Sequence, residues 1–101
     1  MSKRKFRTFK HVQIEHYQQN PKELKTFIEV ALEEFQKDGD EESFLSALAL
    51  AAKVQGGFGK LAKDSGINRE HLYRALSEKG DPRLSTFVQV IQSLGLSLKV
   101  A

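Results

Sequence analysis

The chain has no cysteine among its 101 residues. It therefore forms no disulfide, offers no thiolate nucleophile and builds no cysteine-ligated zinc site. This composition fits a reducing compartment, and we expect a cytoplasmic protein. A chain of this length is expected to fold as a single domain around one modest hydrophobic core.

Long apolar runs and catalytic motifs are missing as well. No run approaches the ~20 residues of a membrane span, and the charged N-terminus is not followed by the apolar segment of a secretory signal. His11, His16 and His71 are scattered and form no HExxH pair. Neighbouring carboxylates such as Glu33 and Glu34 diverge on a helix. We therefore expect no metal, no cofactor and no catalysis.

The net charge of +3 conceals an asymmetry along the chain. Residues 1–11 carry five bases and no acid, residues 12–56 nine acids and four bases, and residues 57–101 seven bases and four acids. We predict a flexible basic arm over 1–11 and a single helical domain over 12–101. A duplex-binding protein gains from this division, because the basic half meets phosphate, although plain solvation would explain the acidic half. The arm either tracks a DNA groove or only solubilises the chain.

Two segments of the acidic half show apolar residues at three- and four-residue steps. The first is predicted to begin with Asn20 as N-cap, to gain a capping-box partner in Glu23 and to end at Gly39. Its stripe consists of Leu24, Phe27, Ile28, Ala31, Leu32 and Phe35. The second is predicted to be capped by Asp40 and to stop at Gly56. Its buried side is predicted to consist of Phe44, Leu45, Leu48, Ala49, Ala52 and Val54.

The C-terminal end of the chain predicts one more helix and a strand-like segment. Gly95 is the predicted end of the helix. Its inward residues are predicted to be Leu84, Phe87, Val88, Ile91 and Leu94. Residues 96–100 then alternate apolar and polar side chains, which is typical of a strand. A single strand cannot stand alone, so this segment would pair with another chain.

Residues 58–77, FGKLAKDSGINREHLYRALS, are the most informative segment. Their spacing predicts two short helices joined by a tight turn, at which Gly66 adopts a positive φ. Asn68 is the predicted N-cap of the second helix, and Leu72 and Ala75 face inward from it. This pattern is typical of a DNA-binding helix-turn-helix, although other helical hairpins with a glycine turn share part of it.

The outer face of the second helix is long and polar, as a helix that reads base edges requires. The predicted base-contacting residues are Arg69, Glu70, Tyr73 and Arg74. An arginine can donate two hydrogen bonds to O6 and N7 of guanine. The predicted phosphate-contacting residues, which fix register without specifying sequence, are Lys60, Lys63, Asn68, His71, Ser77, Lys79 and Arg83. For the lysines, a plain hydrated surface is the alternative.

Several short runs of this chain follow the pattern of a known family. They are Leu61-Ala62, Gly66-Ile67, Arg69-Glu70-x-Leu72-Tyr73-x-Ala75-Leu76, Ser77-Glu78-Lys79-Gly80-x-Pro82 and Leu94-Gly95-Leu96. Two upstream runs, Ala31-Leu32-Glu33-Glu34 and Phe44-Leu45-x-Ala47-Leu48, are similar to that family as well. About residues 20–100 therefore resemble addiction-module antidote proteins, the HigA-like antitoxins of the wider Xre or phage-repressor class. One departure concerns a glutamine that many phage-type repressors have near the start of the first motif helix. This chain has Phe58-Gly59-Lys60 there.

The predicted elements and the resemblance together predict an all-α fold. We expect a five-helix, lambda-repressor-like bundle with a helix-turn-helix at 58–77, which a short C-terminal strand can follow. The resemblance implies a bacterial, nucleoid-associated antitoxin that binds and neutralises a RelE/HigB-like, mRNA-cleaving toxin. It also implies a homodimer that binds its operator DNA and represses its own operon. The family's base contacts would fall on Arg69, Glu70 and Arg74, the residues chosen above. No cofactor and no membrane partner are implied.

Two other functions stay open. One is a stand-alone Xre-type transcription regulator without a toxin, which only the neighbouring gene would distinguish. The other is a toxin-binding interaction module that does not read DNA. The stripe from Leu24 to Phe35 and the strand-like end could supply its toxin surface, although we expect the stripe to pack in the core. A mobility-shift assay with the protein's own promoter separates this second alternative from a DNA-binding protein.

Overall fold

Six helices make up the protein in the computed structural model, which describes residues 9–77 and 81–97. They are α1 (Phe9–Gln19), α2 (Pro21–Asp38), α3 (Glu41–Val54), α4 (Phe58–Ser65), α5 (Arg69–Ala75) and α6 (Leu84–Ser93). The all-α class is confirmed for these residues, but the predicted number of five helices is wrong, because α1 is additional. The described residues contain no strand, and residues 98–100 of the predicted strand lie outside them.

Helix α1 begins inside the segment predicted to be a basic arm, of which residues 1–8 lie outside the described residues. None of its side chains is fully buried, but Ile14 and Tyr17 are half-buried against the core. Gln18 Nε2 donates a hydrogen bond of 3.4 Å to the carbonyl oxygen of the last residue of α3. Because the helix has no continuous apolar stripe, the hydrophobic period of the sequence gave no sign of it.

The junction between α1 and α2 differs from the prediction in one respect. Asn20 is the N-cap residue of α2, as predicted, but its side chain forms no capping hydrogen bond. Its Nδ2 instead donates to the carbonyl oxygen of His16 at 2.8 Å and satisfies the end of α1. Pro21, which has no N–H to satisfy, starts α2. Gly39 ends α2 as predicted, with a φ of 69° and an N–H that donates to the carbonyl oxygen of Phe35.

Helix α3 lies at the centre of the fold, and α1, α2 and α4 all pack against it. Its buried residues are Phe44, Leu45, Ala47, Leu48, Leu50, Ala51, Ala52 and Val54. Asp40 caps its first turn as predicted, accepting from the N–H of Ser43 at 3.2 Å and from its hydroxyl at 2.6 Å. These hydrogen bonds to the carboxylate hold the pKa of Asp40 below its usual value.

Aromatic rings join α2, α3 and α6. Phe44 of α3 stacks on Phe35 of α2 with ring centroids 5.4 Å apart, and its ring lies 6.0 Å from that of Phe87 on α6. At the other end of α6, Gln55 Nε2 donates to the carbonyl oxygen of Leu94 at 3.0 Å. Helix α6 is therefore held against the rest of the fold at both of its ends.

The buried face of α6 differs from the predicted one. Thr86, Val90 and Ile91 are the buried residues of the helix, and Leu94, which follows the helix, is buried as well. Leu84 was predicted to face inward and is 76% exposed. Ile91 and Leu94 are buried as predicted, and Phe87 and Val88 are half-buried. The prediction missed Thr86 and Val90 and wrongly included Leu84, so part of the stripe was misplaced. Gly95, which follows the C-cap residue Leu94, adopts a φ of 79° and ends the helical path near the predicted position.

Truncation of Val90 tests the corrected face. Because this side chain is 0% exposed, we expect Val90→Ala to lower the free energy of unfolding by about 2 kcal/mol, through lost burial and the cavity left behind. Val30→Ala on α2, where the side chain is 44% exposed, is the matched control and should change it by less than about 0.5 kcal/mol. Urea denaturation followed by circular dichroism measures both. Equal losses would contradict the burial assigned to α6.

Candidate nucleic-acid interface

Helices α4 and α5 are joined by a three-residue turn over 66–68. Gly66 adopts a φ of 76°, and its N–H donates to the carbonyl oxygen of Ala62 at 2.9 Å. The hydroxyl of Ser65 accepts from the N–H of Ile67 at 3.2 Å. The left-handed glycine predicted for this turn is confirmed, and two hydrogen bonds define the path of the chain between the helices.

The start of α5 is closed by Asn68, as predicted. Its Oδ1 accepts from the N–H of Glu70 at 2.8 Å and from the N–H of His71 at 3.3 Å. These are backbone donors of the first turn, which have no partner within the helix. The capping amide therefore fixes where the helix begins and, with it, which residues occupy its outer face.

The inner face of α5 is packed tightly against the protein. Leu72 is 0% exposed, and Ala75 and Leu76 are 6% and 4% exposed. Ile67, in the turn, is half-buried and packs against the same core. The inward orientation predicted for Leu72 and Ala75 is confirmed, and α5 cannot rotate about its axis without exposing them.

The four predicted base-contacting residues lie together on the opposite face of α5. Arg69, Glu70, Tyr73 and Arg74 are all exposed, and with Asn68 they line one shallow depression in the surface. Neither arginine forms an ion pair with another side chain in the part of the chain that the structure describes. Both guanidinium groups therefore keep the donors that a carboxylate would otherwise occupy.

Tyr73 has a support that the sequence analysis missed. Tyr73 is 64% exposed. Its ring nevertheless contacts the ring of Phe58 edge to face, with centroids 5.6 Å apart. Phe58 is the first residue of α4, so this contact joins the two helices on the outside of their turn. The only sign of this contact in the sequence is the position of Phe58 directly after two glycines, and this position does not identify Tyr73 as the partner.

The predicted phosphate-contacting residues are less uniform. Lys60 Nζ pairs with Asp64 Oδ2 at 2.7 Å, one helical turn further on, and would have to leave this partner to contact DNA. The hydroxyl of Ser77 donates to the carbonyl oxygen of Arg74 at 2.8 Å. Lys79 lies outside the described residues. The exposed members of the predicted set, besides Lys60, are Lys63, Asn68, His71 and Arg83.

The apolar stripe of α2, considered above as a toxin surface, belongs to the core. Leu24 and Ile28 are fully buried. The remaining members are half-buried and pack on the same cluster; they are Phe27, Ala31, Leu32 and Phe35. Within the described ranges, no group of three or more histidine or carboxylate side chains is arranged to hold a metal ion. No helix among the same residues has the length and hydropathy to cross a membrane.

The geometry defines a small helical protein that presents a short, capped helix with a charged outer face. The chain belongs to the family described as "probable addiction module antidote protein", whose sequence profile matches residues 8–101. Membership supports an antitoxin role and implies a toxin partner of some kind. The resemblance to addiction-module antidotes is confirmed at this level.

One curated relative, from Haemophilus influenzae strain Rd, is 37% identical over 73 residues. The matched region covers 72% of this chain and 74% of that protein. It is described as an uncharacterized protein, so it shows relatedness without adding a function. No solved structure matches the chain.

Two glycines of this region test the turn. A methyl group would meet no atom within 4 Å at either Gly66 or Gly59, so only backbone conformation separates the two substitutions. Gly66→Ala should lower the free energy of unfolding by about 1–2 kcal/mol, because a φ of 76° is left-handed. Gly59→Ala, inside α4, should raise it by about 0.5–1 kcal/mol. Thermal unfolding by calorimetry measures both, and a neutral Gly66→Ala would show that the turn is not built as described.

Proposed function

We propose that the protein is a sequence-specific DNA-binding antitoxin of the Xre helix-turn-helix class. It neutralises a toxin of the RelE/HigB type and, as a homodimer, binds its own operator and represses its operon in the bacterial cytoplasm. Its mechanism is binding, with no catalytic turnover and no cofactor. The observation that carries the DNA-binding part is the charged outer face of α5, which lies opposite a fully buried inner face.

Rigidity supports a readout role for this face. Hydrogen bonds between side chains and bases are strongly directional, so the helix that makes them must be held in one orientation. Leu72 fixes the rotation of α5, and the Asn68 cap fixes its start. Arg69 and Tyr73 are four residues apart, as are Glu70 and Arg74, so the four side chains stand in two adjacent rows along the helix.

The charge distribution supports two partners on different parts of the chain. The helices α4 and α5 and the segment after them belong to the basic half, which suits phosphate. Helices α2 and α3 belong to the acidic half of the chain. A toxin that cleaves mRNA must itself present positive charge to the RNA backbone, and the acidic half complements such a surface. Because the apolar stripe of α2 is used in the core, exposed polar side chains must supply much of the toxin contact.

Arg74→Ala tests base readout. We expect the variant to lose discrimination at one base pair of each operator half-site, by about 1–3 kcal/mol, because a bidentate arginine contact specifies one base. Lys63→Ala should weaken binding to all sequences alike and reduce the salt slope of log K by about one, because a phosphate contact carries no sequence information. Fluorescence anisotropy with the promoter and single-base variants, at several salt concentrations, measures both effects.

Lys25→Ala, a lysine of α2 in the acidic half, is the control and should leave the affinity and the salt slope unchanged. An Arg74→Ala variant that discriminates between bases as well as the wild type would refute the role given to Arg74. If the wild type fails to shift its promoter even at low salt, the protein is a toxin-binding module that does not read DNA.

The antitoxin part is tested separately in cells. Expression of the adjacent toxin-like gene should arrest growth, and co-expression of this protein should restore it, because the complex removes free toxin. Co-purification of the two proteins at one defined stoichiometry measures the interaction directly. If the promoter is bound but no neighbouring gene product is toxic or is captured, the protein is a stand-alone regulator instead.

A further inference from the structure

A second surface feature lies where α2, α3 and α6 meet. It is an apolar groove walled by Phe35, Phe44, Leu45, Pro82 and Phe87. Glu41 and Leu84 complete its lining. None of these residues belongs to α5, so the groove is separate from the proposed DNA-reading face.

Leu84 forms one edge of this groove and still presents most of its surface to solvent. It is the first residue of α6 and is 76% exposed. Its neighbour Arg83 is also exposed. Among the side chains that the structure describes, neither Arg83 nor Glu41 has an ion-pair partner. The groove and its flank therefore present an exposed leucine, an apolar slot, and one cation and one anion that pair with no other described side chain.

We propose that a second copy of this chain covers the groove in a two-fold symmetric dimer. Leu84 of each copy inserts into the groove of the other. Arg83 of each copy, predicted above to contact phosphate, instead faces Glu41 of the other. A two-fold interface uses the same patch on both partners, so the patch must be complementary to itself. The groove and its flank meet that condition twice, once with the exposed leucine and the slot and once with the two opposite charges. The inference rests on the proposed homodimer and assigns its surface.

The first experiment measures oligomeric state without DNA or toxin, so that its outcome is independent of the other proposed activities. Light scattering after size exclusion, over a series of protein concentrations, should show a dimer for the wild type. Leu84→Glu should weaken self-association roughly tenfold or more, because it places a charge in the partner's apolar slot. Phe9→Glu on α1 is the matched control, since Phe9 is also 76% exposed, and this variant should dimerise like the wild type. Helical circular dichroism checks that each variant is folded.

The second experiment tests the two-fold symmetry through charge. Arg83→Glu alone and Glu41→Arg alone should each weaken self-association, because each creates two like-charge contacts across the axis. An equimolar mixture of the two variants should recover the dimer, because each unlike pair re-forms in the heterodimer. The chain with both substitutions should recover it as well. Recovery by mixing is expected for facing residues in a two-fold dimer and not for residues that contact an unrelated partner.

Three results would overturn the inference. They are a wild-type dimer that tolerates Leu84→Glu, a mixture of the two charge variants that associates no better than either alone, and a wild type that stays monomeric at all concentrations. The last result, together with loss of toxin binding by Leu84→Glu, would assign the groove to the toxin. A monomeric wild type would also refute the dimeric part of the proposed function. Base readout by α5 would still be decided by the promoter assay with Arg74→Ala.

Discussion

The structure depends on the burial of α3 by its neighbours. Alanines at positions 47, 51 and 52 are buried along this helix, and their small side chains let the backbones of adjacent helices come close. Larger side chains fill the remaining space, with Leu48 completely enclosed. Most of α3 is buried by its neighbours, and the charged face of α5 lies on an element around it. The groove beside α6 also takes Glu41, Phe44 and Leu45 from α3 itself.

Helix α5 depends on this core more than its own sequence would suggest. It has only seven residues, and a helix of that length is not stable alone in water. Its capping amide, the left-handed glycine before it and the enclosed Leu72 supply what the helix lacks. The face that we propose to read DNA is therefore ordered mainly by contacts on the other side of the helix, to which the contact of Phe58 with Tyr73 adds one on the outside.

Local chemistry in the sequence predicted most helix boundaries correctly. Gly39, Asp40, Gly66 and Asn68 all act as predicted, because turn and cap positions select residues by conformation and hydrogen bonding to nearby backbone. The exposed face of α5 could also be predicted, because the helical period alone separates its inner and outer positions.

Features set by distant parts of the chain could not be predicted in this way. Helix α1 is held by scattered contacts to α3, such as the hydrogen bond from Gln18 to Val54. The hydrogen bond from Asn20 to His16 is local, but it was not foreseen because α1 itself was not predicted. The edge-to-face contact of Phe58 with Tyr73 depends on the angle between two helices, which no local pattern encodes. The ion pair of Lys60 with Asp64 is different, because its spacing of four residues on a helix is a local pattern that the sequence already contains.

The complete division of α5 into a buried side and an exposed side has an evolutionary consequence. Substitutions at Arg69, Glu70 and Arg74 change the chemistry offered to a partner without removing any core contact, so they carry little stability cost. Substitutions at Leu72 would be removed by selection for a folded protein, whatever the partner. Duplicated copies of such a gene could therefore diverge toward new operators through a few surface changes on an unchanged scaffold.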